Sequence, residues 1–269
     1  MKSKLFFSLL LGCVSLSQAD TYTWTNGAGN NVWANSSNWN PNTSFPQGGA
    51  DIAIIGDDKG TINVGDSDHF FTMDALTIGS GSTVSIVGTG NQGVGVQYSD
   101  LAVNTINLSG KLTSTSAWKK GWAKDTTINY GSITGNNLID LSASDGMWSN
   151  GKKLTLNGAL TLATGSATYY ELFVYGAIDS RDSDFSFNTD GISVDSLTQQ
   201  GSKLTQAAQG TTYDNLQEGQ FSVINDKING DNHVKVIYKD FAGAAIPEPT
   251  TVTLSLLGLA TLMLRRRRD

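Results

Sequence analysis

Cysteine is almost absent from this chain. The single one, Cys13, falls among the first nineteen residues, so a mature chain cut after them has no disulfide and no thiol chemistry. Histidine is nearly as scarce. His69 and His233 lie far apart, neither has the i,i+4 partner of a helical zinc site, and no G-x-S-x-G turn offers a hydrolase nucleophile. Both are read as surface or turn histidines. Charge is thin at 16% of 269 residues, and the 18 basic residues are outnumbered by 24 acidic ones. There are only 4 prolines. What is abundant instead is Gly, Thr, Ser and Asn around a 39% hydrophobic fraction, enough to bury a real core and suited to strands separated by turns. An all-β fold is the expectation.

The two ends carry the clearest signals. MKSKLFFSLLLGCVSLSQAD has Lys2 and Lys4, an apolar run from Leu5 to Leu16, and Ser17-Gln18-Ala19 as a small-x-small cleavage pattern. Residues 1–19 read as a secretory signal cut after Ala19. Leu10-Leu11-Gly12-Cys13 is a competing lipobox-like site in which Cys13 would be lipidated. At the other end, Ile246-Pro247-Glu248-Pro249 precedes fifteen uncharged residues, Thr250 to Leu264, and then Arg265, Arg266, Arg267 and Arg268. As a helix that span covers about 22 Å, short of a hydrocarbon core of about 30 Å, so it suits a temporary membrane stop. The arginines would stay cytoplasmic, leaving the body outside, and the two prolines would keep the preceding segment extended and accessible. Without both ends, 12 basic and 22 acidic residues remain, a net charge of −10 that repels nucleic acid and anionic surfaces.

Pro247-Glu248-Pro249, the short apolar span and the arginine cluster together resemble the PEP-CTERM sorting signal of Gram-negative bacteria. The resemblance covers residues 246–269. It implies that an exosortase-type enzyme recognises and removes the tail after transient anchoring in the inner membrane. The body then goes to the cell surface or extracellular matrix, where extracellular polysaccharide is the expected partner.

Within the body, Thr61-Ile62-Asn63-Val64, Thr83-Val84-Ser85-Ile86, Thr105-Ile106-Asn107-Leu108 and Thr127-Ile128-Asn129-Tyr130 begin 22 residues apart, and Gly65, Gly88, Gly110 and Gly131 follow closely. A fifth copy with displaced register begins near Leu154. This pattern predicts a right-handed parallel β-helix of about 22-residue coils over residues 61–170. Alternation points the Ile, Val, Leu and Tyr of each copy inward and stacks the Thr and Asn outside as one ladder. An antiparallel sandwich or jelly roll is the alternative. Tyr22, Trp24, Trp33 and Trp39 in residues 20–60 resemble the segment that opens many secreted, autotransporter-like β-helical proteins, and are read as a cap. Residues 171–240 form a C-terminal β region closing in a hairpin, with Asn225 to Asn232 as its loop, and 241–246 link to the tail at 247–269.

Catalytic chemistry is expected to be absent, and no cofactor or metal is assigned. Gly88-Thr89-Gly90-Asn91-Gln92-Gly93 matches G-x-G-x-x-G, but no helix follows to receive a phosphate. Asp57-Asp58, Asp66/Asp68, Asp179/Asp182/Asp184 and Asp226/Asp231 are read as turn residues, with Asp179, Asp182 and Asp184 first in line were calcium bound. Trp118 and Trp122, if exposed, are candidate carbohydrate contacts because indole faces stack on sugar rings; the alternative is core or edge cover, the commoner place for large aromatics. The reading is an exported structural or adhesive protein; the alternative is a carbohydrate-binding or polysaccharide-degrading β-helix.

Overall fold

A computed structural model describes residues 19–65, 71–87, 98–115, 119–133, 137–143, 147–148, 152–162, 169–176, 187–197 and 202–241. The signal segment before Ala19, the sorting tail, the G-x-G-x-x-G turn, His69, Trp118, Asp66, Asp68, Asp179, Asp182 and Asp184 lie outside these residues.

Along the chain come β1 (Thr21–Trp24), a 3-10 turn at Ser36–Asn38, β2 (Trp39–Asn40), β3 (Ile52–Ile55), β4 (Gly60–Gly65), β5 (Phe71–Ile78), β6 (Ser82–Val87) and β7 (Tyr98–Leu108). Then follow β8 (Lys111–Ser114), β9 (Lys119–Trp122), β10 (Thr126–Ile133), β11 (Leu138–Leu141), β12 (Met147–Trp148), β13 (Leu154–Leu162), β14 (Tyr169–Tyr175) and β15 (Phe187–Leu197). The last elements are β16 (Thr205–Gln206), a second 3-10 turn at Tyr213–Asn215, β17 (Gln220–Ile228) and β18 (Asp231–Lys239). Among the described residues there is no α-helix.

The strands form two mixed sheets made mainly of parallel pairs. One has ten strands, in the order β15-β13-β10-β7-β5-β3-β1-β2 with β9 beside β7 and β12 beside β9; the other has eight, β16-β17-β18-β14-β11-β8-β6-β4. From β3 to β15 the chain passes back and forth between them. Among the described residues, antiparallel pairing is confined to β1 with β2, β14 with β18 and β17 with β18. An antiparallel sandwich therefore does not describe this chain, since hairpin-linked neighbours would reverse direction at every step.

The inward positions of the repeats were legible. Ile62, Val84, Ile106 and Ile128 are fully buried, and Val64, Ile86, Leu108 and Tyr130 nearly so. The ladder they imply is different from the expected one. Thr61 pairs with Thr83 in the eight-stranded sheet, whereas Thr105 pairs with Thr127 in the ten-stranded sheet. Thr83 continues to Lys111, and Thr105 is preceded by Ala75. The single four-step ladder is thus two ladders of two, and the 22-residue step from Thr83 to Thr105 crosses between sheets. The physical reason is that an outward polar, inward apolar alternation serves either sheet equally, so the motif marks a face without marking which one. The spacing between paired strands also varies: the equivalent positions Thr77, Asn107, Asn129 and Asn157 are separated by 30, 22 and 28 residues.

Both ends of the stack are covered. Tyr22, Trp24 and Trp33 each pack edge to face on Trp39 and all four are buried, with the Trp39 indole donating to Trp33 O at 2.8 Å and that of Trp33 to Pro46 O at 3.1 Å. Trp33 N donates to Asn63 O, and Asn63 N to Asn31 O, which satisfies the open edge of β4. At the far end, Gln206 and Gln209 donate their side-chain amides to Thr189 O and Phe187 O on the edge strand β15. The expected closing hairpin is present, but its loop is shorter than read. The strands run on to Ile228 and from Asp231, joined by Asn229 and Gly230 at φ 53° and 99°, a pair of left-handed residues that an Asn-Gly turn favours.

Replacing the buried Ile128 by Ala should cost about 2–5 kcal/mol, read as a lower urea midpoint. Thr127→Ala, one residue away on the outward face, should cost less than about 1 kcal/mol. Equal losses would contradict the alternation.

Candidate functional site

The outward face of the ten-stranded sheet carries three successive Thr-x-Asn triplets in register: Thr105, Thr127 and Thr155 in one column, Asn107, Asn129 and Asn157 in the next. The asparagines bond to each other along the stack. Asn157 Nδ2 donates to Asn129 Oδ1 at 3.2 Å, Asn129 Nδ2 to Asn107 Oδ1 at 3.0 Å, and Asn107 Nδ2 to Thr77 Oγ1 at 3.3 Å. The ladder stops at Gly191, where a Cβ would run into the Asn157 amide.

Two residues further along each strand stand Gly79, Ser109 and Gly131. They line, with Thr77, Asn107 and Asn129, a shallow cleft of about 340 Å³ that runs across β3, β5, β7 and β10. Small residues are required here because neighbouring turns pack closely against each other. A Cβ on Gly79 would lie 2.5 Å from Asp57 Oδ1 and from Gly56 C, and one on Gly110 would overlap Ser82 O and Gly79 O. The corner is tied by Asp57 Oδ1 accepting from Ser80 N at 2.8 Å, and by Ser82 Oγ, which donates to Gly56 O and accepts from Lys59 N. Asp57 is a turn residue, as expected. Its neighbour Asp58 holds the left-handed φ of 53°.

A second polar group lies on β14, β17 and β18. His233 Nδ1 stands 2.9 Å from Glu171 Oε1, and the Lys235 ammonium stands 3.2 Å from Asp226 Oδ2 and 4.7 Å above the Tyr169 ring. The register sets Glu171 opposite Lys235 and Asp226 opposite His233, so these charges pair diagonally across the sheet. Asp226 is a strand residue with a partner, a correction to its reading as a turn residue, whereas His233 falls where the expected hairpin strand put it, two residues from Lys235. Their spacing in HVKVIY is a period-2 signal that puts His233 and Lys235 on one face, and it was available in the sequence. Among the described residues, no three His, Cys, Asp or Glu side chains come together to hold a metal ion.

Trp122 does not serve the role expected of it. It is fully buried and packs against Phe173, with ring centroids 6.2 Å apart, so its faces belong to the core and are closed to a sugar. The inward alternation of β9 against β7, which pairs it with the equally buried Leu101, accounts for this. Ala19 is exposed two residues before β1. No helix among the described residues is long and apolar enough to cross a membrane.

Buried phenols give the fold an alkaline limit. Burial pushes the Tyr130 phenol, which donates to Leu172 O at 2.8 Å, well above the ordinary tyrosine value. Tyr238 is raised to about 12, first by burial and then by neighbouring Tyr170, Asp240 and Tyr213. Tyr175 is raised by burial, offset in part by the hydrogen bond from Asn225. Below about pH 10 the folded and unfolded tyrosines both keep their protons, whereas above it the unfolded chain ionises first. Stability should therefore hold up to about pH 10 and fall as pH rises toward 12. The check is the urea midpoint against pH, with a shallower fall in Tyr130→Phe.

Comparison with family models, with curated proteins and with solved structures gives no match for this chain, so its sequence and geometry carry the functional reading.

Proposed function

We propose that this chain is an exported structural or adhesive protein of the cell surface or extracellular matrix. Its body is a right-handed parallel β-helix, and its tail is removed by an exosortase-type enzyme. The observation that supports the structural role is the use made of the polar side chains. Thr77, Asn107, Asn129 and Asn157 spend hydrogen bonds on one another, coil to coil, and the edges of β4 and β15 are satisfied by Asn31, Trp33, Gln206 and Gln209. A stack held from neighbour to neighbour and covered at its ends suits a rigid spacer or display surface. The sorting route is supported by Pro247-Glu248-Pro249, the short apolar span and Arg265 to Arg268.

A second reading, a carbohydrate-binding protein, is favoured by the cleft beside the asparagine ladder, which sets the amides of Asn107 and Asn129 and the hydroxyls of Thr77 and Ser109 beside apolar surface from Ile54 and its neighbours.

Mass spectrometry of the protein recovered from its native host tests the route. The wild type should begin at Asp20 and lack Arg265 to Arg268, while a variant with Pro247→Ala and Pro249→Ala should keep its tail and stay with the membrane fraction. An intact tail on the mature wild type would overturn the sorting proposal, and a lipid on Cys13 would overturn cleavage after Ala19.

A further inference from the structure

We infer that the cleft beside the asparagine ladder binds an uncharged, extended polysaccharide whose chain lies along the stacking direction. The inference rests on the reading of the body as a protein that meets extracellular polysaccharide, and adds where the contact lies and what class of glycan it takes.

The argument begins with hydrogen-bonding capacity left over after the ladder is built. A side-chain amide has two N–H donors and two acceptor lone pairs. Asn129 spends one donor on Asn107 and one acceptor site on Asn157; Asn107 spends one donor on Thr77 and one acceptor site on Asn129. One donor and one acceptor remain on each. A sugar hydroxyl is itself both donor and acceptor, so a side chain offering one of each is its natural complement. These pairs recur once per coil, about 4.8 Å apart. That rise is close to the advance of one pyranose ring in an extended β-linked glycan. The four strands bordering the cleft span about 14 Å, room for a few rings in line.

Shape and charge narrow the ligand. Gly79, Ser109 and Gly131 keep the strip beside the ladder low enough for flat rings, and the half-buried Ile54 at its β3 end offers an apolar surface to sugar C–H groups. Among the described residues, the one charged side chain in the lining is Asp57, already bonded to Ser80 N. A carboxylate at the site, within a body of net charge −10, disfavours a polyanion.

The test is isothermal titration of the full-length protein with cellohexaose, and with hexagalacturonate as an anionic chain of the same length. The expected result is saturable binding of cellohexaose alone. Gly131→Phe, which fills the cleft from a position with ordinary backbone angles, should weaken it at least about tenfold. Thr61→Phe, equally bulky on the outward face of the other sheet, should leave it unchanged. Thr77→Val, which removes one hydroxyl at nearly constant shape, should weaken it several-fold and decides the matter should Gly131→Phe not fold. Absence of saturable cellohexaose binding, equal binding by Gly131→Phe or Thr77→Val, or preference for hexagalacturonate would each overturn the proposal. Failure here leaves tail processing untouched, because that is read from protein masses in the host.

Discussion

The structure depends on the in-register stacking of parallel strands with alternating side chains. Each strand exposes a row of backbone donors and acceptors that only its neighbour in the sheet can satisfy, so the fold is a series of mutual obligations along the stack. Ile106, Ile128 and Leu156 meet inside, one above another, because their strands pair residue for residue; Asn107, Asn129 and Asn157 meet outside for the same reason. A slip of one residue would exchange the two columns, burying amides and exposing isoleucines. The asparagine bonds therefore act as a register lock as well as a source of stability.

That constraint also explains the ends. A stack terminates in unpaired backbone, and an unpaired edge invites association with other chains. The N-terminal tryptophan cluster and the pairing of residues 31–33 with β4 address this at one end, and Gln206 and Gln209 do so at the other. The antiparallel hairpin of β17 and β18 ends the parallel pattern in the eight-stranded sheet. The molecule presents broad sheet faces to its surroundings, and the Thr/Asn face of the ten-stranded sheet carries repeating neutral polar groups beside the cleft.

Much of this was legible in the sequence, and what was not has physical causes. Alternation told Ile62, Val84, Ile106 and Ile128 to face inward because period 2 is a local property of a strand. It did not tell which sheet each copy joins, since the same alternation serves either sheet, and an equal step of 22 residues keeps Thr61 and Thr83 in one sheet yet carries Thr83 to Thr105 across to the other. Trp122 stood as a possible sugar contact beside lysines against the commoner role of a large aromatic as core, and its parity on β9 sends it into the core. The Asn229-Gly230 turn was present in the sequence and would have shortened the expected loop had its left-handed preference been used. The cleft was invisible, because it is formed by residues 22 to 30 positions apart that only stacking brings together.

Disulfide trapping tests the central claim most directly. With Cys13 replaced by Ser, no native cysteine remains to interfere. Cysteines placed at 105 and 127 should cross-link, since they are paired neighbours in one sheet; cysteines at 83 and 105, equally far apart in sequence, should not, since they belong to different sheets. Cross-linking of the second pair, or failure of the first in a folded protein, would contradict the two-sheet stack described above.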